Sequence, residues 1–296
     1  MNTDTYFEIG ATHEVCQDFA LAGQLNDKLA FAIVTDGCTD AHVQCGEVDF
    51  GARVLAYSAR EALFDIFLTN HELAADANVF NVCGTILRET TLVNLAPVKK
   101  QFSLSELFSD ATLVVAIFDG KNAYAYMYGD GGILVKDKEG NLIYDEITFT
   151  SSAPYYLIYD NPDRNKNYGR EYGKHPVYRT NAFIPKPKDG VNAVNIKSSQ
   201  HPFLGQVVDE SVYKFSSFMY QDVANISVTS DGIKSFQQIT SEGVKNIPSV
   251  DMVPRFVGFK NVNGCFQQRR MKFLQKECQQ GAITHFDDIS IASIVT

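Results

Sequence analysis

Residues 111–137 read ATLVVAIFDGKNAYAYMYGDGGILVKD, and this stretch decides the fold class. Apart from Thr112, its first eight residues are apolar, which is typical of a buried strand. Asp119-Gly120 is the commonest hairpin dipeptide, and the tyrosines that follow it alternate with Ala or Met at the two-residue period of a strand. After GDGG a strand resumes at ILVKD, and KEGN turns into LIYDEITF. The block predicts an antiparallel meander.

The residues before this block predict a strand and two helices. Residues 29–35, LAFAIVT, form a short apolar run that ends at Asp36-Gly37. Apolar residues then recur at steps of three and four over 52–66, and again over 73–91 after a break at Asn70. We expect two amphipathic helices side by side on one sheet face, with Gly84 permitting close approach.

The residues after it change character twice. Over 151–222 prolines are frequent and periodicity is weak, so we expect an irregular insertion. VANISVTS then predicts a strand ending at Asp231-Gly232, followed by a helix from about Ile233. A last helix ends at Gly281, and HFDDISIASIVT is a terminal strand. With no persuasive linker, the chain is interpreted as a single domain over 1–296 that carries this insertion.

Composition narrows the class of protein. The chain has 296 residues, of which 45% are hydrophobic and 21% charged, as in folded soluble proteins. Its net charge of -9 has the wrong sign for a nucleic-acid partner. No run approaches the length that spans a bilayer, and the first residues lack the pattern of a leader, so we expect no membrane association and a cytoplasmic location.

Aspartates at strand ends are the candidate functional residues. Asp119-Gly120 lies between two strands and fits a simple turn, whereas Asp36-Gly37 and Asp231-Gly232 lead into a loop or helix. Asp130 interrupts the meander, and Asp287-Asp288 precedes the last strand. Converging carboxylates repel one another unless a cation neutralises them, and oxygen ligands favour magnesium or manganese. The pattern indicates metal-dependent phosphoester chemistry, in which two ions assist in-line attack on phosphorus.

Six segments in order resemble the type 2C metal-dependent serine/threonine protein phosphatases, the PPM family, in its bacterial form. They lie within about residues 10–135 and 222–296, and they are HEVCQDFA, AIVTDGCTD with GARVL, SDATLVVAI, YMYGDGGIL, ISVTSDGIKSF and FDDISIASI. The resemblance implies an α+β fold, an αββα sandwich of two antiparallel sheets flanked by helix pairs. It also implies two Mn²⁺ or Mg²⁺ ions, with a possible third.

The resemblance assigns roles to individual positions. Asp36 would bridge two metals, with Asp18 holding metal-bound water and His13 near the phosphate; these three are the candidate catalytic residues. The candidate metal ligands are Asp36, the Gly37 carbonyl, Asp231, Asp287 and, for the third ion, Asp130.

Three positions depart from the family pattern. Gln17 stands where many relatives have Glu, which puts affinity at the second metal in question. His13 and Cys38 stand where eukaryotic relatives have an arginine and a histidine. Because a thiol is a poor acid for the leaving alkoxide, the proton would come from water or another side chain, with His42 as a spare candidate.

Several functions remain open at the level of sequence. The leading prediction is an enzyme that hydrolyses phosphoserine and phosphothreonine in a phosphorylated protein partner. The alternatives are a pseudophosphatase that binds without turnover and a hydrolase of small phosphoesters. Residues 160–190, with seven basic and four acidic side chains, are either a solvated loop or a substrate-facing flap. A zinc site of the early cysteines with His13 and His42 matches no known spacing.

Overall fold

The computed structural model describes residues 1–38, 45–68, 73–105, 107–150, 153–171, 177–186, 206–207 and 216–296. The helices are α1 (Cys45–Phe67), α2 (Ala77–Phe102), α3 (Pro162–Glu171), α4 (Ser249–Phe256) and α5 (Phe266–Gln280). The strands are β1 (Asn2–Glu8), β2 (Asp18–Gln24), β3 (Ala30–Gly37), β4 (Ala111–Phe118), β5 (Ala123–Tyr128), β6 (Gly131–Asp137), β7 (Leu142–Phe149), β8 (Val177–Ile184), β9 (Gln206–Val207), β10 (Ser216–Tyr220), β11 (Val223–Thr229), β12 (Phe236–Thr240), β13 (Gly243–Asn246), β14 (Ile283–His285) and β15 (Ile289–Val295).

Two antiparallel sheets stack face to face. One has the strand order β1-β15-β11-β6-β7-β8-β9, and the other has the order β10-β5-β4-β3-β2. Apolar side chains from both inner faces form the central core, with β3 and β4 supplying Val34 and Val114, and β11 and β15 supplying Ile226 and Ile294. Such interdigitation is what holds two sheets together.

A helix pair covers the outer face of each sheet. Helices α1 and α2 pack on the five-stranded sheet through a second apolar cluster that includes Leu55, Leu87 and Tyr126. Helices α4 and α5 pack on the seven-stranded sheet through a third cluster, which includes Val253 and Leu274. The predicted α+β class and αββα sandwich are confirmed.

The predicted meander is confirmed in its strands but wrong in its continuity. Strand β4 pairs with β5, and β6 pairs with β7, but β5 and β6 belong to different sheets. The chain crosses between sheets at Gly129-Asp130-Gly131, where both glycines have positive φ, 91° and 137°. A Cβ on Gly131 would lie 2.8 Å from the Thr229 carbonyl oxygen, so a side chain has no room at the crossing.

Two helix boundaries differ from the predicted ones. Helix α2 begins at Ala77 because the carboxylate of Asp76 accepts hydrogen bonds from the backbone N–H groups of Asn78 and Val79. After Asp231 the structure has a five-residue 3₁₀ turn, Asp231–Ser235, and then β12, so the helix predicted from Ile233 is wrong. No helix in the ranges given above is long and apolar enough to cross a bilayer.

The segment 151–222 contains regular elements where it is described. After the 3₁₀ turn Leu157–Asp160 come α3, β8 and β10. Strand β8 pairs with β7, and β10 pairs with β5, so each extends one of the two sheets. The expectation of an irregular insertion therefore needs correction at these elements.

Candidate metal centre

Asp18 and Asp36 lie directly opposite each other in the ladder of β2 and β3. Asp18 is buried, with 1% of its surface exposed. The backbone N–H of Gly37 donates to the Gln17 carbonyl at 3.2 Å, and the hydroxyl of Thr35 donates to the Ala52 carbonyl in α1 at 3.0 Å. These contacts hold the ends of both strands, and with them the two carboxylates, beneath the first helix.

Asp130 and Asp231 approach the same place from the other sheet. Asp130 lies at the crossing before β6, Asp231 follows β11, and Gly132 pairs with Thr229 in the ladder that joins these strands. Lys234 lies between the two carboxylates, with its Nζ 3.4 Å from Asp130 Oδ2 and 3.2 Å from Asp231 Oδ2.

Asp287 and Asp288 complete the group from the residues before β15. The buried Asp288 carboxylate accepts hydrogen bonds from the backbone N–H groups of Gly10, at 2.7 Å, and Gln17, at 2.6 Å. His13 lies against both aspartates, with Nδ1 3.0 Å from Asp288 Oδ1 and Nε2 3.6 Å from Asp287 Oδ1. Asp288 thus anchors the N-terminal loop, while the Asp287 side chain remains 34% exposed.

Two glycines, Gly10 and Gly232, allow the backbone of Asp287 and Asp288 to pass close to its neighbours. A Cβ on Gly10 would lie 2.3 Å from the Asp287 carbonyl carbon, and one on Gly232 would lie 1.8 Å from the Asp288 carbonyl oxygen. The glycine of Asp231-Gly232 is therefore required by close backbone approach rather than by a hairpin turn.

The crowding of carboxylates shifts their pKa values. Burial raises the pKa of Asp18 to about 7, with a further contribution from the charge of Asp288. Burial and the charges of the other aspartates raise the pKa of Asp36 well above its ordinary value. Burial and the charge of Asp231 raise the pKa of Asp130 to about 7.

Asp231 behaves differently because of Lys234. Burial acts to raise its pKa, but the Lys234 ammonium, together with hydrogen bonds from Asp36 and Lys234, lowers it below the ordinary value. The site thus has one carboxylate held in its ionised form next to several that resist ionisation.

The donor set suits a hard divalent cation. Neither carboxylate oxygen of Asp18 makes a hydrogen bond of normal geometry, although both are buried and Ser230 and Ser290 lie nearby. Buried, unsatisfied oxygens are costly unless a ligand completes them. Within the described residues, no group of three or more His, Cys, Asp or Glu side chains is already arranged to hold a metal ion. Magnesium-like ions commonly bind through few carboxylates and keep several waters, so the open arrangement fits them.

The structure brings together the aspartates that the sequence singles out. Asp18, Asp130, Asp231 and Asp287 each interact electrostatically with Asp36, whose neighbour Gly37 ends β3. Their roles as ligands, and the role of His13, remain predictions. His42, the spare proton donor, lies outside the described residues, as does the side chain of Cys45.

Sequence reasoning assigned no role to three nearby side chains. Lys234 and Asp288 are described above. The third, Tyr156, is buried, and its pKa is raised by burial, by its interaction with Cys38 and by the charges of Asp130 and Asp36. The spacing of three between Asp231 and Lys234 was a usable signal, since a tight turn brings such residues together.

Comparison with known proteins agrees with the fold. The family model described as "Protein phosphatase 2C" matches residues 10–152. A bacterial serine phosphatase is similar at 10% identity with a TM-score of 0.52, over 100% of this chain and 97% of that one. Serine/threonine phosphatase Stp1 from Staphylococcus aureus is similar at 9% identity with a TM-score of 0.52, over 100% and 95%. No curated protein sequence matches the chain.

These findings define the class of protein. The described part of the chain has the fold of the bacterial serine phosphatases, and residues 10–152 match the sequence model of protein phosphatase 2C. The resemblance to the bacterial-type PPM family is confirmed.

Proposed function

We propose that this protein hydrolyses phosphoserine and phosphothreonine monoesters in phosphorylated proteins, with two bound Mn²⁺ or Mg²⁺ ions. The observation that carries the proposal is the meeting of Asp18, Asp36, Asp130, Asp231 and Asp287 at one end of the sandwich. Such a concentration of like charge destabilises a fold and is retained where it binds a cation.

The ions would be held by Asp36, the Gly37 carbonyl, Asp231 and Asp287. When bound, divalent cations supply Lewis-acid activation of water and neutralise charge on the phosphoryl group. Asp36 is central to this set because it interacts with carboxylates from both sheets. Its neighbour Thr35, bonded to α1, fixes the direction of the strand end.

The remaining residues position water and substrate. Both carboxylate oxygens of Asp18 are buried and without a hydrogen bond of normal geometry, so they would accept hydrogen bonds from the water that attacks the phosphoryl group. His13 lies 26% exposed beside Asp287, at the rim, where its ring can contact the phosphate. Asp288, at 3.0 Å from Nδ1, orients that ring. Tyr156 closes the side of the site next to Cys38.

The deciding experiment measures hydrolysis of a phosphothreonine peptide and of a small aryl phosphate with Mn²⁺, with Mg²⁺ and with chelator. The proposal expects metal-dependent turnover of the peptide that chelator abolishes. Binding of the phosphopeptide without turnover identifies a pseudophosphatase, and turnover of the aryl phosphate alone identifies a small-phosphoester hydrolase. Turnover that persists in chelator contradicts the metal assignment.

A further inference from the structure

We propose that the Lys234 ammonium is the resident cation at Asp130, so that the centre accepts two divalent ions and leaves no place for a third. This inference rests on the proposed function, because it concerns the same metal centre. It assigns Asp130 to an ion pair within the chain rather than to an exchangeable metal.

The backbone brings Lys234 to this position and holds it there. Lys234 is three residues after Asp231 in the 3₁₀ turn, so its side chain folds back over the strand end. The Ser235 hydroxyl donates to the Gly232 carbonyl at 2.8 Å, which closes the turn. Ile233, fully buried, anchors the turn in the core beneath α4.

The distances place one ammonium against two carboxylates. Lys234 Nζ is 3.2 Å from Asp231 and 3.4 Å from Asp130, and the Asp130 side chain is only 9% exposed. Among the described residues, Lys234 is the cation that pairs with Asp130. Opposite charges at this separation, with the lysine side chain 24% exposed and the Asp130 side chain mostly buried, attract each other more strongly than they would in bulk water.

Glu146, a third carboxylate near Lys234, already accepts hydrogen bonds from other side chains. Glu146 is buried and contributes to the field at Lys234. Its carboxylate, however, accepts hydrogen bonds from the hydroxyls of Tyr144, at 2.5 Å, Thr148, at 3.0 Å, and Ser249, at 2.7 Å. The ammonium is therefore directed to Asp130 and Asp231.

A third divalent ion at Asp130 would meet this ammonium at short range. Repulsion between the two cations, together with the loss of the ion pair, opposes its binding. Lys234 is not among the charges that act on Asp36 or Asp287, which interact instead with the neighbouring aspartates. Asp231 interacts with both Asp36 and Lys234, and its Oδ2 is the atom that pairs with the ammonium.

The test counts Mn²⁺ ions bound per chain, by elemental analysis after equilibrium dialysis and by calorimetric titration. Wild type and Asp130→Asn should each bind two ions. Lys234→Met should bind three, and Lys234→Met combined with Asp130→Asn should return to two. Lys138→Met is the matched control, because Lys138 Nζ also lies 3.4 Å from an aspartate, Asp222, but at an exposed site; it should bind two.

The outcomes separate this inference from the proposed function. Two ions in both wild type and folded Lys234→Met overturn the inference and leave the function intact. Three ions in wild type, one of them lost in Asp130→Asn, also overturn it. If circular dichroism shows that Lys234→Met does not fold, the ion counts of wild type and Asp130→Asn still test the inference. Two ions in each support it, and a third ion in wild type that is lost in Asp130→Asn overturns it. Absence of bound Mn²⁺ from every folded protein overturns both proposals together.

Discussion

Asp18 and Asp36 are direct partners across the β2–β3 ladder, and their carboxyl groups leave the same face of the sheet. Like charges in directly opposed positions destabilise a pair of strands. Burial adds to this, since it raises the pKa of both groups. The pair therefore reduces the stability of the metal-free protein at neutral pH, and binding of a cation should restore it.

The metal-free protein should lose stability as the pH rises from about 4 to about 7. The carboxyls of Asp18 and Asp130 have a pKa of about 7 in the folded chain, against 3.8 ordinarily. In that window the folded chain holds more protons than the unfolded one, so raising the pH favours unfolding. We expect a loss of at least about 1.4 kcal/mol, the equivalent of a single pKa unit. Urea titrations in chelator at several pH values measure it.

Asp18→Asn is the control for this pH dependence. An amide has no proton to lose, so the variant should show a flatter profile and higher stability than wild type at pH values above about 7. Addition of Mn²⁺ should stabilise wild type most at the alkaline end. A metal-free stability that rises steadily from pH 4 to 7 would contradict the assignment of these carboxyls.

Asp36→Asn should lower turnover of a phosphothreonine peptide by about 10²–10³, the range seen when one group that stabilises charge in a transition state is removed. The amide has no negative charge to place between two dications. Asp119→Asn is the matched control, since Asp119 is also followed by glycine but caps a hairpin by accepting from Lys121 and Asn122. Steady-state rates and circular dichroism of both variants test this prediction. Near-normal rates for a folded Asp36→Asn would show that Asp36 is not a metal ligand.

The strands that carry the site could be predicted because their signal is local. Residues 29–35 and 111–118 are apolar except for one threonine each, and each run is buried between layers as its composition predicts. Strand β1 could not be recognised, since it pairs only with β15 at a sheet edge and its residues are mostly half-buried.

The contacts of individual side chains in the site depend on residues that are far apart in the sequence. Asp287 and Asp288 are adjacent and identical in the sequence, yet Asp287 interacts with Asp36, whereas Asp288 accepts hydrogen bonds from the backbone of Gly10 and Gln17. Alternation in an extended segment predicts that they diverge but does not say which faces where. Likewise, the pairing of Lys234 with Asp130 joins residues 104 apart in sequence.

Gly232→Ala should destabilise the protein by about 1–3 kcal/mol, the range for overpacking a tight site. Its Cβ would lie 1.8 Å from the Asp288 carbonyl oxygen and would push the Asp287-Asp288 segment away. Mn²⁺ affinity should fall with stability. Gly120→Ala is the control: its φ is +87° but nothing lies within 4 Å of the added Cβ, so its cost is backbone strain alone and its Mn²⁺ affinity should be unchanged. Normal affinity in Gly232→Ala would show that the segment can shift without effect on the metals.

The basic segment 160–190 has fewer available charges than its sequence indicates. Arg164 pairs with Asp110, and Arg179 pairs with Asp145 and lies over the ring of Phe218. These two arginines bind the segment to the sandwich rather than extend into solvent. Lys166, by contrast, is exposed. The interpretation of this segment as a substrate-facing flap therefore depends on lysines such as Lys166.

Arg164→Ser should lower the free energy of unfolding by at least about 1.5 kcal/mol, the lower end for a hydrogen bond to a charged group. Arg164 donates to both oxygens of Asp110, and the Asp110 carbonyl accepts from the backbone N–H of Cys38, next to the centre. Loosening Asp110 should therefore slow hydrolysis of a phosphopeptide and of a small aryl phosphate alike. Lys166→Ser should keep stability within about 0.5 kcal/mol, as exposed substitutions do, and should slow the peptide alone if the segment recognises substrate. A loss confined to the peptide in Arg164→Ser, with unchanged stability, would instead make Arg164 a substrate contact.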